Sequence, residues 1–212
     1  MLTTQSYQHH MQYLITHNDY SALRSRLAAA APDATGSACI HTLLFNAYRS
    51  AALPSLDGQD EPLFALHYYD NDPTYLLLEK RLNDTRTTAM VAEAECRALL
   101  AGETGWLLDR RNPVLREFHD SLTEQMLLPR VLLTYQREFY SLDSLDLWIA
   151  LDTDIRTTLQ HMDFLDPETL ARDTAGQEGQ LRMEVSYSHT IPDYVLALLV
   201  ETAPKRKPLL NA

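Results

Sequence analysis

A chain of 212 residues, 45% of them hydrophobic, has enough apolar side chain for one sizeable core and too much for a disordered segment. Its 18 basic and 29 acidic residues give a net charge of −11, a field that repels nucleic acid and anionic membrane surfaces. The two cysteines, Cys39 and Cys96, form no spacing motif, and no apolar run approaches the roughly 20 residues of a membrane-spanning helix.

The first residues, "MLTTQSYQHHMQYLITHNDY", lack the basic and apolar regions of a signal peptide, so a reduced, cytoplasmic protein with no membrane span is expected. "HMQYLIT" predicts a first strand. Asn18 is placed to cap a helix over "DYSALRSRLAAAA", whose Tyr20, Leu23 and Leu27 fall on one stripe, with Pro32 and Gly36 ending it. "ACIHTLLFNAY" reads as a strand and "LPSLDGQDEP" as a turn-rich connection. "LFALHYYDNDPTYLLLEKRL" reads as a hairpin turning on "DNDP".

"AMVAEAECRALLAGE" holds helix formers throughout and a stop at Gly102. Asn112 and Pro113 open a further helix with the stripe Val114, Leu115, Phe118, Leu122 and Met126. "RVLLTYQREFYSLDSLDLWIALDTDIR" then gives two apolar strands around an acidic turn. A strand "QLRMEVSYS" and a helix from Pro192 complete the chain. Strands outnumber helices and short turns join neighbours, which favours an α+β antiparallel architecture in a single domain over residues 1–212.

The long hairpin poses a question of charge. Alternation puts Val131, Leu133, Tyr135 and Arg137 on one face, and Trp148, Ala150, Asp152, Asp154 and Arg156 on one face of the next strand. Charged groups among such neighbours either meet solvent or line a polar cavity.

The segments "LLPRVLLTYQREFY", "LDLWIALDTDIR", "LRMEVSYS" and "IPDYVLALL", with colinear "YQHHMQYLI", "CIHTLLFNAY", "FALHYY" and "YLLLEKR", together resemble the VTC domain. This is the polyphosphate polymerase-type module of the triphosphate tunnel metalloenzyme superfamily, and the resemblance covers nearly the whole chain. It implies a closed antiparallel β-barrel with flanking helices, an interior tunnel whose arginines and lysines hold triphosphate or polyphosphate, and acidic residues that hold Mn or Mg. Arg137, Asp152, Arg156 and Glu184 stand where the family's own functional residues stand. Elsewhere the pattern is replaced. Gln8, His10 and Gln12 fill the first strand, Leu63, Ala65 and His67 fill basic positions of the third, Leu77 and Glu79 occupy the fourth, and Trp148 and Ser186 take the place of an arginine and a lysine.

The residual phosphate-binding set implied is Arg81, Arg137 and Arg156, with Arg81 preferred over Lys80 by period two from Leu77 and Glu79. The implied metal set is Glu184, Asp152 and Asp154. The plain alternative is that Arg137 and Arg156 pair with Asp152, Asp154 or Glu184 and brace the sheet. Eight histidines show no zinc-ligand spacing. Depleted cations point to a catalytically degenerate domain in binding or assembly, with residual triphosphate or polyphosphate, or a protein, as its partner and no cofactor. The alternative is an active metal-dependent polyphosphate polymerase or triphosphate-processing enzyme using Mn or Mg.

Overall fold

The structure, a computed structural model, describes residues 9–30, 35–47, 62–83, 85–142, 146–158, 164–166, 175–176, 181–191, 193 and 196. Most of the expected connection over residues 53–62, most of the loop after residue 166, most of the last helix and the basic tail at 205–207 lie outside them, as does the His10 side chain. In chain order the elements are β1 His9–Ile15, α1 His17–Ala30, β2 Thr35–Ala47, β3 Leu63–Tyr69, β4 Asp72–Leu82 and β5 Thr85–Ala92. Then come α2 Glu93–Leu100, α3 Trp106–Asp109, α4 Pro113–Glu124, β6 Leu127–Leu142, β7 Leu147–Thr158, β8 Ala175–Gly176 and β9 Leu181–Tyr187.

The hydrogen-bonded strand order is β1-β9-β7-β6-β2-β3-β4-β5. Each pair whose register is resolved is antiparallel. The expected α+β, mostly antiparallel class is therefore found, but the expected closed barrel is not. Among the described residues no pairing joins β5 back to β1, so the sheet is an open path. Both edge strands are short, seven and eight residues, and each runs almost directly into a helix. A short edge flanked by a helix offers little ladder for closure.

The chain forms two compact units, and β2, β6, β7 and β8 contribute to both. The first spans residues 1–5, 40–133 and 157–175. Here one face of β3, β4 and β5 sends Phe64, Leu66, Tyr68, Leu76, Leu78, Ala89 and Val91 into a core shared with Leu107, Leu115 and Phe118 of the helices. The opposite face carries a second apolar cluster of Leu44, Leu63, Ala65 and Val131. The second unit spans residues 6–39, 134–156 and 176–212. Its core packs Leu23 and Leu27 of α1 against Ile149, Leu151, Met183 and Val185.

Local chemistry explains where the elements begin and end. The β3–β4 turn uses Asp70 and Asn71, both at positive φ (51° and 60°), the pair of left-handed residues a tight hairpin favours. Asn112 accepts a hydrogen bond from the Val114 N–H at 2.9 Å, with Pro113 at the first helical position, as expected.

Three expectations need correction. The α1 cap is Thr16, not Asn18: Thr16 Oγ1 accepts from the Asp19 N–H (3.2 Å) and Asp19 Oδ2 accepts from the Thr16 N–H (2.9 Å). Residues 89–92 close β5 and do not open the helix. Ala89 and Val91 alternate into the core opposite Leu78 and Leu76, so strand pairing overrides the helix propensity of Ala and Met. Met126 leaves the α4 stripe because the helix ends at Glu124 and Met126 takes φ 53°, which exposes its side chain.

Candidate functional site

In the second unit, register alone assembles a charged cluster. β1 pairs β9 with Gln12 opposite Glu184, and β7 pairs β9 with Ala150 opposite Glu184 and Asp152 opposite Arg182. Period two then sends Gln12, Asp152, Arg182 and Glu184 to the face opposite the apolar core formed by Ile149, Leu151, Met183 and Val185. Arg137 of β6 reaches the same point.

Arg137 donates from Nε to Asp152 Oδ1 (2.6 Å) and from Nη2 to both Asp152 Oδ2 (2.9 Å) and Glu184 Oε2 (2.8 Å). Arg182 Nε donates to Asp152 Oδ2 at 2.7 Å. Gln12 Nε2 lies at 3.5 Å from Glu184 Oε2. Asp152 and Glu184 are 0% exposed and the two arginines 6%. Aromatic rings lie against the cations: the Arg137 guanidinium is 5.3 Å from the Tyr135 and Trp148 ring centres, and Arg182 is 5.0 Å from Tyr135. Burial works against the Arg137 charge, but Asp152 and Glu184 outweigh it and hold its pKa well above the ordinary arginine value. Two guanidinium groups thus face two carboxylates, and the cluster's formal charges cancel.

Arg156 and Asp154 do not join them. Asp154 takes φ 50°, which breaks the alternation assumed for β7 after Asp152. Asp154 is exposed and accepts from Arg156 Nε (3.1 Å) and Nη2 (3.0 Å). The expected metal set of Glu184, Asp152 and Asp154 is therefore split, with two members on the buried cluster and one on a surface pair. Among the described residues no group of three or more His, Cys, Asp and Glu side chains stands ready for a metal ion. Mg keeps waters and substrate phosphates as ligands beside one or two carboxylates, so Asp152 and Glu184 are the pair that would fit such an ion.

The first unit carries a second polar cluster on the face opposite its helix-covered core. Glu79 of β4 is 5% exposed and pairs with Arg81 on its own strand, with Arg86 Nε of β5 (3.1 Å), and with His67 Nε2 of β3 (3.7 Å). His67 Nδ1 meets Thr42 Oγ1 at 2.8 Å. Burial pushes the Glu79 carboxyl up, but Arg81 and Arg86, with His67, bring it well below the ordinary carboxylate range. Burial lowers the pKa of His67 itself. Arg81 faces this cluster while Lys80 pairs with Glu117 of α4, which agrees with the period-two reading. On the same face, Leu63 and Ala65 lie in the buried apolar cluster with Leu44 and Val131, at 4–7% exposure.

Arg182 is absent from the site residues expected from the sequence. Its signal was its position two residues before Glu184 on one strand.

No family model matches the chain, and no curated protein matches it significantly. Solved structures do share its fold. A candidate adenylate cyclase from Bacillus halodurans matches at a TM-score of 0.56 and 11% identity, over 93% of this chain and 88% of that one. A candidate adenylyl cyclase from Hippeastrum, described as revealing a dominant triphosphatase activity, matches at 0.51 and 13% identity, over 91% and 84%. At such identities the likeness is one of fold. The chain carries a triphosphate-tunnel-like fold, and narrower membership of the VTC domain is shown by neither comparison.

Proposed function

We propose that this chain is a catalytically degenerate, VTC-like domain of the triphosphate-tunnel fold, acting in binding or assembly and not in phosphoryl transfer. The observation that carries the reading is the pairing of Arg137. The arginine that matches a family phosphate ligand has its Nε and Nη2 engaged by Asp152 and Glu184, in surroundings with no exposed carboxylate surface.

A triphosphate brings about three to four negative charges, and each charge-assisted contact contributes roughly 1.5–3 kcal/mol. Drawing Arg137 onto phosphate would take the guanidinium from the buried Glu184 and leave Asp152 with Arg182, at about 3–5 kcal/mol for a broken buried pair. The exchange returns little or nothing. Leu63 and Ala65, at positions where the family places cations, support the same reading, because a buried apolar cluster offers no donor to a phosphate oxygen.

A second reading, an active polyphosphate polymerase or triphosphate-processing enzyme, draws on the approach of Asp152 and Glu184 to one point, where they would hold Mn or Mg. Lewis-acid chemistry would come from the metal, and Arg137 would have to leave both carboxylates to orient phosphate. The purified protein, incubated with ATP or tripolyphosphate and with Mn or Mg, separates the two. Neither phosphate release nor polyphosphate above a protein-free blank is expected. Manganese-dependent turnover abolished by Arg137→Ala would overturn the proposal.

A further inference from the structure

Away from the charged clusters, the second unit holds an open cleft of about 690 Å³ between α1 and strands β2 and β6. That size lies within the roughly 300–1,000 Å³ of small-molecule sites. Its organising group is Glu138. Tyr20 donates to Oε1 (2.9 Å), and Arg24 Nε (2.8 Å) and Tyr140 (3.0 Å) donate to Oε2. Burial and then the hydrogen bond to Glu138 push the Tyr140 hydroxyl up to about 12, so it remains a donor across the ordinary pH range. The carboxylate is therefore held by three donors from two elements.

What that arrangement presents outward is donor-rich. Arg24 uses only Nε on Glu138, and among the described residues no hydrogen bond engages its two terminal nitrogens. Ser21 and Ser37 add hydroxyls from α1 and β2, and the rings of Tyr20 and Tyr140 add flat apolar walls. Locking Arg24 through Nε fixes the plane of its guanidinium, which leaves a preorganised fork of the geometry that carboxylates and phosphates accept. Nothing in the phosphate-tunnel reading uses these residues.

We infer that this cleft binds a small organic oxyanion, a carboxylate or phosphomonoester on a ring-sized body, with the anionic head on the Arg24 fork and the Ser21 and Ser37 hydroxyls and the body against the tyrosines. The inference is independent of whether the tunnel-fold clusters are catalytic.

The test is a titration of the ¹⁵N-labelled full chain with benzoate and with phenyl phosphate into the millimolar range, read on the Arg24 Nε–H and the Ser21 and Ser37 amides. Saturable shifts confined to these groups are expected with one or both probes, and the tighter probe tells carboxylate from phosphate. Arg24→Gln, at a side chain 59% exposed, should weaken binding by at least about tenfold. Ala28→Trp, which fills the cleft from an exposed helical position, should abolish it with no loss of fold. Absence of saturable shifts with both probes would overturn the inference. So would shifts spread over the whole surface, or affinity unchanged in both variants.

Discussion

Replacing Arg137 by leucine asks whether this arginine is a brace or a ligand group. The substitution removes three charge-assisted hydrogen bonds of 2.6, 2.9 and 2.8 Å and the cation over the Tyr135 and Trp148 rings. Asp152 keeps Arg182, whereas Glu184 loses the Arg137 guanidinium and keeps Gln12 at 3.5 Å. Breaking a buried pair from one side costs about 3–5 kcal/mol, and the surviving Arg182 contact places the expected loss near the lower end, ~3 kcal/mol. Against a net stability of about 5–15 kcal/mol that is a large fraction. Urea unfolding followed by circular dichroism and tryptophan fluorescence should show a lower midpoint at unchanged slope. Adding Glu184→Gln should recover about 1–2 kcal/mol, because the stranded charge is then gone. A loss under about 1 kcal/mol, or a gain, would refute the bracing argument: a cation kept for a ligand is commonly a local strain whose removal stabilises.

Other outcomes follow from the same geometry. Arg156→Ala should change stability by no more than about 0.5 kcal/mol in the same unfolding assay, since its pair with Asp154 is exposed on both sides. Glu79 titrates well below its ordinary 4.5 in the folded protein, so its contribution is complete above about pH 4.5 and is lost as pH falls through the lower folded value. The stability gap between wild type and Glu79→Gln should accordingly be widest near neutral pH and close in acid; a gap that grows on acidification contradicts the assignment. At Gly36 an added Cβ would sit 2.2 Å from Phe139 Cζ, so Gly36→Ala should cost about 1–3 kcal/mol by overpacking, and Phe139→Leu should relieve it in a double variant.

Much of the fold could be read from the chain, because its signals are local. Apolar runs beside turn residues marked β3 and β6, alternation marked β9, Asp70–Asn71 marked a turn, and Asn112–Pro113 marked a helix start. Readings failed where tertiary contact overrides local preference. Ala89–Ala92 pairs as a strand despite helix-forming residues, and Asp154 leaves its expected face because one left-handed residue resets the alternation.

The charged cluster was half legible. Arg137 and Asp152 stood out as charge within apolar strands and Glu184 through the resemblance to the VTC domain, but only strand order shows that one arginine serves both acids. The Glu138 cleft left no such trace. Tyr20 and Arg24 are ordinary helix neighbours, and their carboxylate lies 118 and 114 residues away in sequence. Closure of a sheet is likewise a property of its two edges together and of neither edge's own sequence.

The proposal that Arg137 serves Asp152 and Glu184 and not phosphate is tested most directly by the melting temperature of the pure protein with millimolar tripolyphosphate, with and without Mn. A ligand at 100 times its dissociation constant adds about 2.7 kcal/mol, and each kcal/mol moves a domain of this size by roughly 2–4 °C. No shift is predicted in either condition. A manganese-dependent rise of several degrees that disappears in Arg137→Ala would contradict it.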